Sequence, residues 1–179
     1  MRARRRGLTR HGRGRLLDLG GADMHRNLWT GADGVSDTTV LDGVGDRRLG
    51  ELAEAGERFD TVVSVFQLAA STDLTETLRS VRRVLADDGR VLFLEPGAQV
   101  GLPGRLQRLV APPLGGLTGW RADRDIPAEL RTAGLSVIDI RRHRVPTLQL
   151  WLRQVLEGVA HHALPPGDGT PPAPPAQPA

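Results

Sequence analysis

The chain has 179 residues, which is enough for one ordinary domain with a hydrophobic core. It contains no cysteine, and all 24 of its basic residues are arginine, which excludes disulfides, thiolate nucleophiles, Schiff-base lysines and a P-loop lysine. No apolar run approaches the roughly 20 residues of a transmembrane helix, and no signal-peptide pattern is present, so we expect a cytoplasmic protein.

The charge is unevenly distributed along the chain. Residues 1–15 hold seven arginines and no acidic residue, whereas the other 164 residues hold 17 arginines and 21 acidic residues. This pattern indicates either an arm for phosphate or anionic lipid, or a disordered leader. We favour the leader, and do not expect nucleic-acid binding, because no aromatic residues are interleaved for base stacking.

Three segments follow from this composition. Residues 1–14 are the basic leader, residues 15–163 form the folded domain, and residues 164–179 contain seven prolines without a periodic apolar face. The last segment is predicted to be a disordered tail.

The first half of the domain begins with two short strand candidates. Residues 15–19 are apolar and lead into a glycine-rich stretch, and residues 38–41 form a second candidate that ends on Asp42. Residues 46–57 have apolar positions on one side and are predicted to form a short amphipathic helix.

Residues 59–97 are the most informative stretch of the chain, because they indicate a strand, a helix and a second strand. Residues 61–66 and 90–94 are short apolar runs typical of buried parallel strands. Between them, Asp73 and Glu76 form a capping-box pattern at the start of an apolar helical stripe. We expect Gly89 to end this helix in the left-handed conformation. The unit predicts two parallel strands joined by a helix.

The last part of the domain is less regular. Residues 101–119, rich in glycine and proline, are predicted to form a long connection of the kind that often covers a binding site. Either the adjacent Trp120 and Arg121 line a substrate pocket, or Trp120 anchors that loop on the core. Asp125 is predicted to cap a helix over residues 126–133, and residues 135–141 are predicted to form a strand. Residues 146–160 fit either an amphipathic helix or a loop that leads to an edge strand.

This order of elements predicts an α/β fold with a doubly wound, mostly parallel sheet. Ligands of such sheets bind outside the carboxyl ends of the strands. Asp18 and the small residues after it, Asp42, and the apolar edge with the Gln67 amide after the third strand are therefore candidates. Glu95 either orients a substrate at this edge or caps the turn that follows it.

Four stretches of the sequence resemble class I S-adenosylmethionine-dependent methyltransferases, in particular the small-molecule group that includes quinone and lipid methyltransferases. They are FDTVVSVFQLAAS, LRSVRRVLADDGRVLFLEPG, GWRADRDIPAELRTAGLSVIDIRRHRVPT and LLDLGGADMH. The last aligns with the cofactor loop of the family: Asp18 and Gly20 match it, while Ala22 and Met24 stand at its second and third glycine positions. The resemblance implies a Rossmann-like methyltransferase fold and S-adenosyl-L-methionine as cofactor.

The segment between Asp42 and Phe59 is short for this family. Its 16 intervening residues leave room for one helix but not for a further strand, so one strand–helix unit is missing. Either Asp42 ends the second strand and binds the ribose, or residues 40–46 are the third strand and the second is absent. We favour the first alternative. The cofactor-binding residues that the resemblance implies are Asp18, Gly20, Gly21, Ala22, Asp42, Phe66 and Gln67.

The implied function is methyl transfer to a small-molecule acceptor. The alternative is an inactive methyltransferase-like domain that acts as a binding or partner subunit. No catalytic acid or base is predicted, because His25 is expected to be a loop residue and methyl transfer from a sulfonium does not always need one. His143, His161 and His162 lack a metal-ligand pattern, so no metal is expected. The sequence does not predict an oligomeric state.

Overall fold

Six strands and three helices make up the part of the chain that a computed structural model describes, namely residues 10–20, 32–45, 47–97, 121, 124–144 and 154–163. The strands are β1 (Gly14–Asp18), β2 (Val35–Val40), β3 (Phe59–Val65), β4 (Leu85–Pro96), β5 (Leu135–Arg144) and β6 (Gln154–His162). The helices are α1 (Arg48–Glu54), α2 (Leu74–Val84) and α3 (Ile126–Thr132).

The strands form one sheet in the order β2-β1-β3-β4-β6-β5. β1 pairs in parallel with β2 and with β3, and β3 pairs in parallel with β4. β6 runs antiparallel to both of its neighbours, β4 and β5, so it is the one strand of this sheet that points the other way. The predicted α/β class with a mostly parallel sheet is confirmed.

Successive residues of the central strands face opposite sides of the sheet, because side chains alternate along a strand. On one side, Leu17, Val62 and Phe93 belong to a buried cluster that includes the apolar faces of all three described helices. On the other side, Leu16, Val63, Leu92 and neighbouring residues form a second buried cluster. The central strands are therefore apolar on both faces, which explains their nearly continuous apolar sequences.

The predicted start of α2 is confirmed, whereas its predicted end is wrong. Asp73 is the N-cap, and its side chain accepts a hydrogen bond from the Glu76 amide at 3.0 Å. The helix ends at Val84, and Leu85 is already extended. Gly89 is not among the glycines with positive φ and lies inside β4. Glycine is needed there for space, since a Cβ would lie 2.8 Å from the Ala86 carbonyl oxygen.

The C-terminal strand differs from both predicted alternatives for residues 146–160. Within the described residues, 154–162 form β6, which lies inside the sheet between β4 and β5 rather than at its edge. The helix α3, which precedes β5, begins as predicted: Asp125 caps it by accepting a hydrogen bond from the Ala128 amide at 3.2 Å.

The position of β2 favours the first of the two alternatives for the shortened segment. Val40 pairs with Asp18 of β1, so β2 is the neighbour of the first strand and Asp42 follows its end. Residues 41–45 form no strand. Within the described ranges β2 is the outermost strand on its side of the sheet, in agreement with a missing strand–helix unit.

Several predictions concern residues outside the described ranges. These are residues 1–9 of the leader, Gly21, Ala22, Met24, His25, the connection 101–119, Trp120 and the tail 164–179. The described chain contacts the sheet before residue 15, because the Arg13 amide donates to Thr61 Oγ1 at 3.0 Å and the Arg13 guanidinium pairs with Asp88. None of the helices in the described ranges is long and apolar enough to cross a membrane.

Candidate functional site

The loops that follow the first three parallel strands, and the end of the fourth, meet at one edge of the sheet. This is the carboxyl edge, where open α/β sheets bind their ligands. Of the predicted site residues, the structure places Asp18, Gly20, Asp42, Phe66 and Gln67 there.

Asp18 shapes the loop after β1 from a fully buried position. Its Oδ1 accepts a hydrogen bond from the Gly20 amide at 2.9 Å, and its carbonyl oxygen accepts one from the Leu41 amide, also at 2.9 Å. The side chain therefore fixes the turn after β1, while the backbone joins that turn to the loop after β2.

Asp42 lies in the loop after β2, and its side chain is exposed. It is followed by Gly43, whose φ of +133° is a conformation that other residues rarely adopt. An exposed carboxylate at the end of a strand can accept hydrogen bonds from two neighbouring hydroxyl groups. Asp42 is thus placed where the sequence predicts a ribose partner.

The chain turns sharply after β3 at Phe66, which has a φ of +60°, the one positive φ among non-glycine residues in the described chain. Such strain persists only where the surrounding structure holds it, and it is frequent near functional sites. The Phe66 ring is only 8% exposed and belongs to the second buried cluster.

Glu95, in β4, binds the turn after β3 through its side chain. Its side chain is fully buried, and its two oxygens accept hydrogen bonds from the Leu68 amide at 3.1 Å and the Ala69 amide at 3.0 Å. Ser64 Oγ donates to the same carboxylate at 2.5 Å. Burial raises the pKa of Glu95 to about 7, although the hydrogen bonds from Ser64 and the turn amides act in the opposite direction.

Glu95 was predicted either to orient a substrate or to cap the turn that follows it. Among the described residues, its side chain is buried, and its hydrogen bonds go to Ser64 and back to the turn after β3.

Arg121 and Arg124, which follow residues 101–119 in the sequence, contact the same turn. Arg124 Nη1 donates to the Leu68 carbonyl oxygen at 3.0 Å and to the Ser71 carbonyl oxygen at 2.7 Å. The Arg121 amide donates to the Ala69 carbonyl oxygen at 2.9 Å. This contact joins the backbone of Arg121 to the turn after β3.

The Gln67 side chain reaches from this turn towards the loops after β1 and β2. Its Oε1 accepts a long hydrogen bond from the Val44 amide at 3.4 Å. A Cβ at Gly20 would lie 3.0 Å from Gln67 Cγ, and a Cβ at Gly43 would lie 3.3 Å from Gln67 Oε1. Glycine at these two positions therefore lets the Gln67 amide approach both loops closely.

Three of the described histidines, in β5 and β6, have structural partners. His143 Nε2 lies 2.8 Å from Glu157 Oε2, and His161 Nδ1 and His162 Nε2 lie 3.1 and 3.3 Å from the carbonyl oxygens of Gly89 and Leu85. Among the residues that the structure describes, no group of three or more histidine and acidic side chains is arranged to hold a metal ion.

Two groups of residues that support this edge were not predicted from the sequence. Arg124 gave no signal, because its partners are backbone carbonyls more than 50 positions earlier in the chain. Ser64 and Glu95 could have been predicted to form a pair, because each is a polar residue within an apolar strand that is buried on both faces. Buried polar residues need hydrogen-bond partners, and here they find each other.

No protein-family model matches the sequence, and no curated protein matches it. Solved structures do match the fold. The mitomycin 7-O-methyltransferase MmcR is similar over 86% of this chain and 50% of its own length, with 16% identity and a TM-score of 0.56. This chain therefore spans about half the length of MmcR.

Two further structures are covered over more of their length. The YcgJ protein from Bacillus subtilis is similar over 92% of this chain and 100% of its own, with 12% identity and a TM-score of 0.68. A 1,6-didemethyltoxoflavin-N1-methyltransferase from Burkholderia thailandensis, solved with 1,6-didemethyltoxoflavin and S-adenosylhomocysteine bound, is similar over 90% of this chain and 79% of its own, with 16% identity and a TM-score of 0.59.

The similarity of fold extends over most of the chain. It agrees with the strand order and with the mostly parallel sheet described above. The chain has the Rossmann-like fold of the class I S-adenosylmethionine-dependent methyltransferases.

Proposed function

We propose that this chain binds S-adenosylmethionine at the carboxyl edge of its sheet and transfers the methyl group to a small-molecule acceptor. The observation that supports this most directly is that Gly20, Asp42 and Gln67 converge at that edge. The fold of this chain is also one that methyltransferases have. An acceptor at the same edge would be expected beneath residues 97–125.

The chemistry of these groups fits the cofactor. Asp42 is an exposed carboxylate that can accept hydrogen bonds from both ribose hydroxyls, and the Gln67 amide can both donate to and accept from an adenine edge. The Gly20 amide is fixed by its hydrogen bond to Asp18. Because glycine has no side chain, the backbone at Gly20 can lie close to the ligand on the β1 side of the site. We infer that Gly21 and Ala22, the next two residues in the sequence, also bind the cofactor.

Bound S-adenosylmethionine would supply a methyl group already activated by its sulfonium, so that an O, N, C or S nucleophile takes the methyl while the electron pair of the broken C–S bond returns to sulfur. The contribution of the chain is then to hold both reactants and align them. Glu95 is not available as a base for the acceptor, because it is fully buried and bonded to Ser64 and the turn amides.

A second candidate is a methyltransferase-like domain that binds a partner without transferring a methyl group. It is favoured by one observation: β2 is the outermost strand on its side of the described sheet. The third strand of the family, which would extend the ribose side of the site, has no counterpart in the described ranges.

Isothermal titration of the full chain with S-adenosylhomocysteine, the demethylated product, separates the two candidates. We expect binding in the micromolar range and a loss of at least tenfold in affinity for Asp42→Asn, because the amide offers one neutral acceptor oxygen in place of the two charged oxygens of the carboxylate. Asp37→Asn is the matched control, since Asp37 is an exposed acidic residue within β2 and away from its carboxyl end. If the unmodified chain shows no binding at millimolar ligand, the proposal is wrong and the partner role becomes the better account.

A further inference from the structure

The turn at residues 66–71 is the part of the carboxyl edge that most needs support. It begins with Phe66 in a left-handed conformation, and its own backbone closes a single helical turn in which the Ala70 and Ser71 amides donate to the Gln67 carbonyl oxygen. One such turn is not stable by itself, because fixing several backbone dihedrals is repaid by very few hydrogen bonds. Other parts of the chain must keep it in place.

The amides at the start of the turn are bound by a buried acid. The Leu68 and Ala69 amides point at the two oxygens of Glu95, and the Leu68 amide also lies 3.2 Å from Ser64 Oγ. Such amides are the positive end of a helical turn, where a carboxylate is the most favourable partner.

The carbonyls at the end of the turn are bound by an arginine. A single nitrogen of Arg124, Nη1, donates to the carbonyl oxygens of Leu68 and Ser71. Carbonyls are the negative end of a helical turn and favour a cation. The turn is thus bound at one end by a carboxyl group from β4 and at the other by a cation from the segment before α3.

Holding the turn fixes where Gln67 lies. Gln67 is the residue immediately before the two amides that Glu95 binds, and its side chain extends over Gly20 to the Val44 amide. A small rotation of the turn would move this side chain away from the loops after β1 and β2. Neither Glu95 nor Arg124 has to touch a ligand to affect the site.

We propose that Glu95 and Arg124 are positioning residues for the cofactor site, acting through the turn at residues 66–71 to place Gln67 against the loops after β1 and β2. This inference rests on the proposed function, since it assigns a task within that site. It adds two residues that are not expected to contact cofactor or acceptor.

The first test is the affinity for S-adenosylhomocysteine of Arg124→Ala and Arg124→Lys, measured by isothermal titration. We expect Arg124→Ala to weaken binding at least tenfold. Arg124→Lys should bind within about threefold of the unmodified chain, because one ammonium nitrogen can donate to both carbonyls as Nη1 does. Arg79→Ala, which removes an exposed arginine paired with Glu76, is the matched control and should leave the affinity unchanged.

The second test is Glu95→Gln, in which an NH₂ group replaces one acceptor and faces a backbone amide. We expect at least a tenfold loss of affinity, with Glu57→Gln at the opposite edge as the control for the change of acid to amide. Should Glu95→Gln fail to fold, the arginine variants still decide the matter. Thermal unfolding midpoints are recorded for each variant, and Arg124→Ala is expected to keep a midpoint near that of Arg124→Lys.

A double-mutant cycle identifies the route of the effect. If Arg124 acts through Gln67, then Arg124→Ala should weaken binding much less in a Gln67→Ala background than in the unmodified chain. Equal binding by all variants, or losses that are independent of Gln67, would overturn the positioning role. Failure of the proposed function would show itself earlier, as absence of binding by the unmodified chain.

Discussion

Ser64 and Glu95 form a hydrogen bond of 2.5 Å between two buried side chains that lie 31 positions apart on the neighbouring strands β3 and β4. The bond lies inside the sheet, next to the edge where the loops converge. It links the stability of the protein to the geometry of the proposed site, because the same carboxylate binds the turn at residues 66–71.

The raised pKa of Glu95 predicts how stability changes with pH. The folded state keeps the proton up to about pH 7, whereas the unfolded chain loses it near 4.5. The contribution of this group to the free energy of unfolding is therefore fully present below pH 4.5 and is lost as pH rises through 7, by about 3 kcal/mol in total.

Urea denaturation between pH 4.5 and 8 measures this effect. We expect the stability of the unmodified chain to fall across that range by more than the stability of Glu95→Gln, which has no proton to lose at this position. Glu57→Gln, in an exposed pair with Arg15, should keep the slope of the unmodified chain. Parallel slopes for Glu95→Gln and the unmodified chain would show that Glu95 does not titrate in this range.

Two glycines are predicted to respond to alanine in opposite directions. At Gly89 a Cβ would lie 2.8 Å from the Ala86 carbonyl oxygen, so Gly89→Ala should destabilise the protein by about 1–3 kcal/mol. At Gly50, inside α1, a Cβ would meet nothing within 4 Å, and Gly50→Ala should stabilise it by about 0.5–1 kcal/mol. Chemical denaturation of the two variants measures the sign of each change in the free energy of unfolding. Equal changes would contradict the close approach of Gly89 to the Ala86 carbonyl oxygen.

The capping of α2 can be tested at Asp73. Its carboxylate accepts from the Glu76 amide, so Asp73→Ala should lower the free energy of unfolding by about 1 kcal/mol. Asp73→Asn keeps an oxygen acceptor and should lose much less. Denaturation midpoints that rank the asparagine variant with the alanine variant would argue against a capping role.

Much of the fold is predictable from the sequence because its signals are local. The apolar runs of β3 and β4 and the caps at Asp73 and Asp125 each depend on residues within a few positions. β6 was harder, since it packs between two strands and has no period that distinguishes it from a helix. The end of α2 was misplaced because a glycine after two aspartates has the same sequence pattern whether it ends a helix or lies in a bulge.

The place of a candidate residue was predictable where it lies at or just after the end of its own strand, as Asp18 and Asp42 do. It was not predictable where the contact joins distant segments. Nothing near Arg124 in the sequence indicates that its partners are the carbonyls of Leu68 and Ser71, and nothing near Gln67 indicates that it reaches Val44. Such contacts follow from the strand order, which the sequence does not state.

The central claim is that S-adenosylmethionine binds at the carboxyl edge, and a nuclear magnetic resonance titration of the full chain with S-adenosylhomocysteine tests it most directly. The account predicts that the backbone amide signals that shift belong to Gly20, to residues 42–44 and to residues 66–69. Signals near the opposite edge, where Arg13 pairs with Asp88, should remain in place. Unchanged spectra at millimolar ligand, or shifts confined to the opposite edge, would contradict it.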